Sequence, residues 1–376
     1  MLPFKYGKVV DKRFFINRTK EINYLSQTIR SRINIVLISP RRWGKSSLVH
    51  IATAKLAQKH KDIKICHLDL FSVRTEQEFY EQFAAKVIKA SATKWEEQLK
   101  NVRLFFKHLI PKIGIGVDPT SELTLQFDWE EVTKNPTEIL DLPEKISIKK
   151  NIQLVVCMDE FQNIAHFTNP LVFQKKLRAV WQHHQNASYV IYGSKQHMMT
   201  HLFESKSMPF YKFGEVLFLQ KIETQHWATY IVRKFKNTGK KISNKLAVKI
   251  TETVANHSYF VQQFANVVWN NTTDTCTKEI IDYSLEMLLN QYELLFMKEI
   301  DYLSNTQINF LKAVCKNEKQ LSSKKTLEKY RLGTSANVVK IKKALIDKEI
   351  IDVNAKQITF QDPLFKRWLQ VKYFKI

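Results

Sequence analysis

Short apolar segments that end in polar residues recur along the first part of the chain, and residues with helical spacing separate them. The apolar segments predict five strands, at Ile33–Ile38, Ile63–Leu70, Ile152–Met158, Tyr189–Tyr192 and Val216–Leu219. The spacing between them predicts helices from about Lys20 and from Lys45, and at Glu76–Lys89, Leu99–Ile110, 136–149 and Leu171–His184. Alternating strands and helices of this kind are typical of an α/β domain with a parallel sheet.

One segment interrupts this alternation. Ile113–Val117 and Leu123–Phe127 alternate apolar and polar residues on either side of the turn sequence Asp118–Thr120. The pattern predicts a β-hairpin, which we interpret as an insertion at about residues 112–128. With this insertion, the α/β domain is expected to cover residues 1–222.

Helical spacing dominates from about Glu223 onwards. It predicts helices at about residues 224–237, 243–255, 259–270 and 277–300. We therefore expect an all-helical domain, a lid on the α/β core, over residues 223–300.

The last segment, residues 301–376, has the element order of a winged helix. The pattern predicts helices at Thr306–Cys315, at Lys324–Tyr330 and after Gly333, then short strands at Ile350–Val353 and Gln357–Phe360, and a terminal helix. In the third helix Val338, Ile341 and Leu345 share one face, while Lys340 and Lys343 lie on the other, where they could contact phosphates.

Length and charge narrow the possible partners. A chain of 376 residues with 44% hydrophobic content suits two or three folded domains. The net charge of +23 favours a polyanion such as nucleic acid, nucleotide phosphates or an acidic membrane surface. A lysine-rich solvated surface explains the charge equally well. Because the winged-helix segment is no more basic than the rest, DNA binding and protein contact both stay open for it.

Cysteine usage and hydropathy indicate the compartment. The four cysteines include no CxxC pair, so we expect free thiols, no zinc site and a reducing environment. No apolar run approaches the length of a membrane span, and the first residues lack the apolar core of a signal peptide. The sequence thus predicts a cytoplasmic protein without membrane segments.

The segment Ile33–Leu48 carries the first candidate chemistry. Residues 39–46 fit the phosphate-binding pattern GxxxxGK[ST] at every position but the first, where Ser39 replaces glycine. A loop and helix N-terminus of this type surround phosphates with backbone N–H groups. Lys45 is expected to reach the β- and γ-phosphates, and Ser46 to ligate Mg²⁺. Ser39 would add strain of about 1 kcal/mol if its position needs a positive φ.

The apolar strand at Ile152–Met158 ends in a pair of acidic residues. Asp159 is placed to hold Mg²⁺ through water, and Glu160 to orient and deprotonate an attacking water. The strand before Gly193 is expected to lie between the other two, so Ser194 would sit beside the γ-phosphate as a sensor. No guanine-reading NKxD motif occurs, which favours adenine nucleotides.

The order of these motifs resembles the archaeal-type P-loop ATPase family, which is related to the STAND and AAA+ groups and carries a C-terminal winged helix. The resemblance covers nearly the whole chain. Seven segments carry it: Phe15–Glu21, Pro40–Leu48, Asp159–Gln162, Gly193-Ser194, Pro209–Tyr211, Asn256–Gln262 and Asp362–Leu369. Asn17, Ser39 and Ser258 differ from the family's usual glycine, glycine and proline.

The resemblance implies the nucleotide-binding residues. The loop would contribute Pro40, Arg41, Arg42, Trp43, Gly44, Lys45, Ser46 and Ser47, and the helical lid would contribute His257. ATP and Mg²⁺ are the implied ligands. Arg178 and Lys212 are the candidates for a basic residue acting at a subunit interface.

These observations predict an ATP-binding P-loop ATPase that acts as a slowly hydrolysing, nucleotide-dependent switch coupled to its winged helix. Glu160, Lys45 and Ser194 would be its catalytic residues, and ATP and ADP its ligands. Two alternatives stay open. One is a DNA-binding, initiator-like module in which ATP only locks the conformation, and the other is a hydrolysis-deficient interaction protein, which the three departures favour. A protein partner or a homo-oligomer is open as well.

Overall fold

The chain folds into two compact units. The computed structural model describes residues 3–8, 14–92, 95–105, 114–117, 123–354 and 357–376. A sheet unit comprises residues 18–220, and a helical unit comprises residues 221–376 together with residues 1–17. The predicted turn at Asp118–Thr120 and the predicted helix end at 106–110 lie outside the described residues. The three domain boundaries given above stay predictions.

The sheet unit is built on five parallel strands. Its strands are β1 (Ile35–Ile38), β2 (Ile63–Asp69), β3 (Gly114–Val117), β4 (Leu123–Gln126), β5 (Gln153–Asp159), β6 (Ala187–Gly193) and β7 (Glu215–Phe218). Strands β3 and β4 form the predicted antiparallel hairpin, and the others form one sheet in the order β2-β5-β6-β1-β7. Every pairing in this sheet is parallel. The predicted parallel sheet is confirmed, with β6 between β5 and β1.

Nine helices accompany these strands in the described part of the unit. They are α1 (Thr19–Arg30), α2 (Lys45–Lys59), α3 (Glu76–Ser91), α4 (Trp95–Phe105), α5 (Trp129–Lys134), α6 (Thr137–Leu140), α7 (Leu142–Lys150), α8 (Pro170–Trp181) and α9 (Gln196–Glu204). Helices α5 and α9 and a 3₁₀ helix at Phe161–His166 were not expected from the sequence pattern.

The helical segment predicted at 136–149 is confirmed, although the chain divides it into α6 and α7. Asp141 ends α6, and its Oδ1 lies 3.1 Å from the Nε2 of His184. Pro143 follows in the first turn of α7, where a residue without an N–H is tolerated. Helical spacing alone does not reveal this break, since the apolar residues on both sides keep the same period.

The central strands are buried on both sides, which explains their continuous apolar sequences. The first six residues of β5 and all seven of β6 are buried. Large aromatic side chains pack beside them: the ring of Trp181 stacks on that of Tyr189 at 4.4 Å between centroids. This packing fixes the ends of β5 and β6, which carry the acidic pair and Ser194.

A buried carboxylate organises the connection into β6. Glu144 of α7 accepts backbone hydrogen bonds from Gln185, Asn186 and Ala187, at distances from 2.8 to 3.2 Å. It also accepts one from the side-chain amide of Asn186, at 2.8 Å. Burial raises the pKa of Glu144, but the hydrogen bonds from Ala187 and Asn186 outweigh this effect and leave its pKa below the ordinary value.

The helical unit contains eight α-helices and one hairpin in its described residues. They are α10 (Thr224–Lys236), α11 (Asn244–Thr253), α12 (Ser258–Asn271), α13 (Lys278–Asp301), α14 (Asn305–Cys315), α15 (Lys324–Lys329), α16 (Ser335–Asp347), β8 (Ile351–Asn354), β9 (Gln357–Phe360) and α17 (Pro363–Trp368). The predicted helical segment and the winged-helix order are therefore confirmed. A π-helical turn, Leu369–Tyr373, follows α17.

Helix α16 has the two faces that its sequence predicts. Val338, Ile341 and Leu345 are buried, whereas Lys340 and Lys343 are exposed. A capping box at Ser304 and Gln307 starts the winged-helix segment at α14.

Two sequence-based expectations concern cysteines and membranes. All four cysteines lie in the described part of the chain, where each is buried and none forms a disulfide. Across the residues that the structure describes, no helix combines the length and the apolar character needed to span a bilayer.

We expect Glu144→Leu to lower the free energy of unfolding by about 2–4 kcal/mol, because several buried N–H groups lose their acceptor. Urea denaturation of the full chain, followed by a spectroscopic signal from the sheet unit, measures this change. Because the folded pKa of Glu144 is lowered, the stability it contributes is present above the unfolded pKa and is lost as the pH falls below about 4.3. A difference between variant and unaltered chain that is as large at pH 3.5 as at pH 7 would contradict this assignment.

Candidate nucleotide-binding site

The strand order brings three chain segments to one edge of the sheet. Strands β1, β5 and β6 are parallel, so the loop after Ile38, the acidic pair after Met158 and Ser194 after Gly193 all lie at their carboxyl ends. In the register, Ile38 lies opposite Gly193. The carboxyl edge of such a sheet, where the strand order reverses, is the usual place for a ligand.

The loop between β1 and α2 has a left-handed backbone at the position where its sequence has glycine. Gly44 precedes α2 with a φ of 89°, in the left-handed region that favours glycine. Arg42 also has a positive φ, of 62°. Ser39, by contrast, is not among the positive-φ residues, and its hydroxyl donates to the carbonyl of Pro40 at 3.0 Å. The strain expected for a serine at this position is therefore absent.

Lys45 is the centre of the site. Its side chain is buried, and its Nζ lies 2.6 Å from Oε1 of Glu160 and 3.1 Å from Oδ1 of Asp159. The next residue, Ser46, donates from its hydroxyl to Oδ2 of Asp159 at 2.5 Å. The loop lysine and serine thus contact both members of the acidic pair directly.

The two carboxylates have different electrostatic environments. Burial raises the pKa of Asp159 above its ordinary value, although Lys45 acts in the opposite direction. Burial also acts to raise the pKa of Glu160, but there the ion pair with Lys45 prevails and the pKa lies below its ordinary value. Glu160 is consequently ionised at neutral pH, as a group that accepts a proton must be.

Glu160 is held by further contacts and has an unusual backbone. Ser194 donates from its hydroxyl to Oε2 of Glu160 at 2.8 Å, and Gln162 donates from its side-chain nitrogen to the same oxygen at 2.6 Å. The φ of Glu160 is 51°, a left-handed value that costs a non-glycine residue about 1–2 kcal/mol. Strain of this kind persists only where the surroundings impose it.

Ser46 and Asp159 fit a magnesium ion. Hydroxyl and carboxylate oxygens are the donors that this cation prefers, and here one of each lies side by side at the edge of the sheet. Asp159 also accepts the backbone N–H of Glu160 at 2.8 Å, so its carboxylate is oriented. The residues present are thus compatible with the predicted metal ligands.

Five of the remaining predicted residues lie close to Lys45 and Ser46 in the sequence. Pro40, Arg41, Arg42, Trp43 and Ser47 belong to the loop and the first turn of α2. Their contacts with nucleotide stay predictions.

For three residues predicted from other parts of the sequence, the structure shows contacts within their own unit. His257 lies in the helical unit, at the N-terminus of α12, with its ring 4.8 Å from that of Phe260. The guanidinium of Arg178 lies over the ring of Phe213 at 5.1 Å, and Lys212 lies over its neighbour Tyr211. The roles proposed for these three residues stay predictions.

Sequence reasoning missed two residues that shape the site. Gln162 was noted only as part of a motif, although it holds Glu160 directly. Gly193 was noted only as part of the Gly193-Ser194 pair, whereas a Cβ there would lie 2.1 Å from Oε1 of Gln162. The only sequence signal was the Gly193-Ser194 pair at the end of a strand. This pair does not reveal that the side chain of Gln162 needs the space beside Gly193.

Comparison with known families agrees with this geometry. Residues 22–206 match the KAP family P-loop domain, and residues 294–371 match the model described as a probable winged helix domain. The chain therefore contains a P-loop NTPase domain similar to the KAP family and a winged helix domain. The resemblance to P-loop ATPases with a C-terminal winged helix is confirmed, and the closer relation to STAND and AAA+ proteins stays a prediction. Comparison with curated proteins gives no match.

Solved structures show the same fold over nearly the whole chain. A Walker-type ATPase of Pyrococcus abyssi is similar with a TM-score of 0.66 and 14% identity, over 98% of this chain and 100% of the other. The ORC2 protein of Aeropyrum pernix, solved as ADPNP-ADP complexes, is similar with a TM-score of 0.57 and 12% identity, over 98% of this chain and 97% of that one. At these identities the similarity establishes the fold alone.

We expect Lys45→Met to lower the free energy of unfolding of the ligand-free protein by about 2–4 kcal/mol at pH 7.5, because two neighbouring carboxylates lose their cation. In the variant the folded pKa values of Asp159 and Glu160 rise above their unfolded values, so the folded state binds more protons and gains stability as the pH falls. The deficit should therefore shrink at pH 5. Urea denaturation at both pH values checks this. An equal deficit at both would show that the ion pairs are not its cause.

Proposed function

We propose that the chain binds ATP with Mg²⁺ at this site and hydrolyses it slowly, as a nucleotide-dependent switch linked to its winged helix. The observation that carries the proposal is the cluster of Lys45, Ser46, Asp159, Glu160 and Ser194 at one edge of the sheet. These residues come from three separate segments, and each has a side chain that phosphoryl transfer uses.

ATP binding requires Lys45 to exchange its partners. In the structure its ammonium group is shared by Asp159 and Glu160. The β- and γ-phosphates offer the same ammonium group stronger acceptors, while the loop and the N-terminus of α2 supply backbone donors. Ser46 and Asp159 would hold Mg²⁺, which supplies charge neutralisation for the phosphates when bound.

In the proposed hydrolysis, Glu160 accepts a proton from the attacking water. A water oxygen bonds to the γ-phosphorus as the bond from that phosphorus to the bridging oxygen of ADP breaks, and one water proton passes to the carboxylate of Glu160. The products are ADP and inorganic phosphate. Ser194, which already contacts Glu160, would report the presence of the γ-phosphate through the end of β6.

The switch follows from the competition for Lys45. With ATP present, the lysine turns from Glu160 to phosphate, and after hydrolysis it can return. The movement would reach the helical unit through the nucleotide, which His257 of the lid is proposed to contact. Adenine is favoured over guanine because the sequence has no guanine-reading motif.

We expect Glu160→Gln to retain ATP but to release phosphate at least about a hundredfold more slowly, because the amide cannot accept the water proton. Lys45→Met is the matched variant and should instead lose nucleotide binding. Titration with a fluorescent ATP analogue and a phosphate-release assay separate the two effects. Undiminished phosphate release from Glu160→Gln would remove this residue from the base role.

The same assays test the rival in which the chain is a hydrolysis-deficient interaction protein. Binding of ATP without any phosphate release by the unaltered chain, with and without DNA, would support that rival. Equal ATP affinity of Lys45→Met and the unaltered chain would discredit the loop as a phosphate site.

A second function, DNA binding by the winged helix, is favoured by one observation. Lys340 and Lys343 are exposed on α16, opposite the buried face of that helix. The third helix of such a domain commonly enters the major groove, and lysines on its outer face would contact phosphates.

We expect binding of duplex DNA to weaken with salt and to fall further in the double variant Lys340→Glu/Lys343→Glu, since each lysine contributes to counterion release. Lys278→Glu/Lys298→Glu, a change of equal charge on exposed lysines of α13, is the control. Filter binding at two salt concentrations measures both. No uptake of DNA at the lower salt concentration, or equal loss in the control, contradicts this function.

A further inference from the structure

The side chain of Gln162 is locked against Glu160. It is 1% exposed, and its Nε2 donates to Oε2 of Glu160 at 2.6 Å. A carboxylate accepts hydrogen bonds and donates none when ionised, so the amide nitrogen must face Glu160 and the amide oxygen must face away. The orientation of the amide is therefore set by the charge of its neighbour.

The other side of the amide meets the end of β6. Oε1 of Gln162 is buried without a hydrogen-bond partner among the described residues. A Cβ at Gly193 would lie 2.1 Å from this oxygen and 2.7 Å from Sδ of Met199. No side chain can occupy that position while the amide stays in place. The amide of Gln162 thus lies between the carboxylate of Glu160 and the backbone of Gly193.

These contacts divide the two oxygens of Glu160 between different partners. Oε2 accepts from Gln162 and from the hydroxyl of Ser194, whereas Oε1 accepts from Lys45 at 2.6 Å. Gln162 lies in the 3₁₀ helix that follows β5, and Ser194 directly follows β6; both side chains are buried. Lys45, by contrast, has a long side chain that phosphate can attract. Departure of Lys45 would release Oε1 and leave Oε2 held.

We propose that Gln162 is a positioning residue for hydrolysis, which holds Oε2 of Glu160 so that Oε1 is the oxygen that takes the proton from the attacking water. This inference rests on the proposed ATP hydrolysis. The proton moves from water to Oε1, the water oxygen bonds to the γ-phosphorus, and the bond to the bridging oxygen of ADP breaks. Gly193 contributes by leaving room for the amide.

Gln162→Met tests the role, because methionine has a similar volume and no donor. We expect kcat to fall about tenfold with the KM for ATP unchanged, because the carboxylate of Glu160 is no longer held with Oε1 facing the attacking water. Affinity for a fluorescent ADP analogue should stay unchanged. Gln174→Met is the control, since Gln174 is also a buried glutamine of the sheet unit, 2% exposed, with an unpartnered Oε1.

Phosphate release by the unaltered chain keeps the inference separable from the proposed function. If the unaltered chain binds ATP without releasing phosphate, the proposed hydrolysis fails, and the inference fails with it. If the unaltered chain releases phosphate and Gln162→Met releases it at the same rate, the inference alone fails.

Gly193→Ala provides an independent test by double-mutant cycle. The added Cβ should displace the amide and reproduce the loss of kcat, and it should add little once Gln162 is already methionine. An unchanged kcat in Gln162→Met, or an equal loss of kcat in Gln174→Met, would overturn the inference and leave Gln162 with a packing role only.

Discussion

One buried ammonium group, that of Lys45, sustains the arrangement of the whole site. Asp159 and Glu160 are consecutive, partly buried carboxylates, and they would repel each other strongly without a cation between them. Lys45 neutralises part of this charge from the first position of α2, which the loop after β1 places there. In the proposed binding of ATP, phosphate would attract this same group. Ligand binding and the stability of the site would then be coupled through a single side chain.

The rigid surroundings of this lysine explain why strain can persist beside it. Glu160 has a left-handed backbone, and Gly44 has one at the start of α2. Both positions follow strands that are buried and paired on each side, so the sheet restricts how far the loops can relax. Glu144 contributes at the opposite end of β6 by fixing its entry. The position of Ser194 thus depends on contacts at both ends of its strand.

The combination of the two units in one chain bears on the proposed function. A P-loop NTPase domain and a winged helix domain occur in one chain, and the exposed lysines of α16 lie on a face that its own core does not use. A net charge of +23 is compatible with phosphate ligands at both places. The proposed switch would require nucleotide to change the energy of the helical unit, and the exchange of partners by Lys45 is the step proposed to begin such a change.

The sequence by itself determined the strands, the phosphate loop, the acidic pair and the winged-helix order, because each of these is written in consecutive residues. Apolar runs predict buried strands, and GKS after such a run predicts a phosphate loop. Only the tertiary structure decided that Lys45 contacts residues 115 positions away, that Gln162 holds one oxygen of Glu160, and that Gly193 makes room for it. It also divided the helical segment predicted at 136–149 into α6 and α7, and it gave Ser39 a backbone without a positive φ. These features depend on contacts between distant segments and on local backbone angles, which periodicity does not encode.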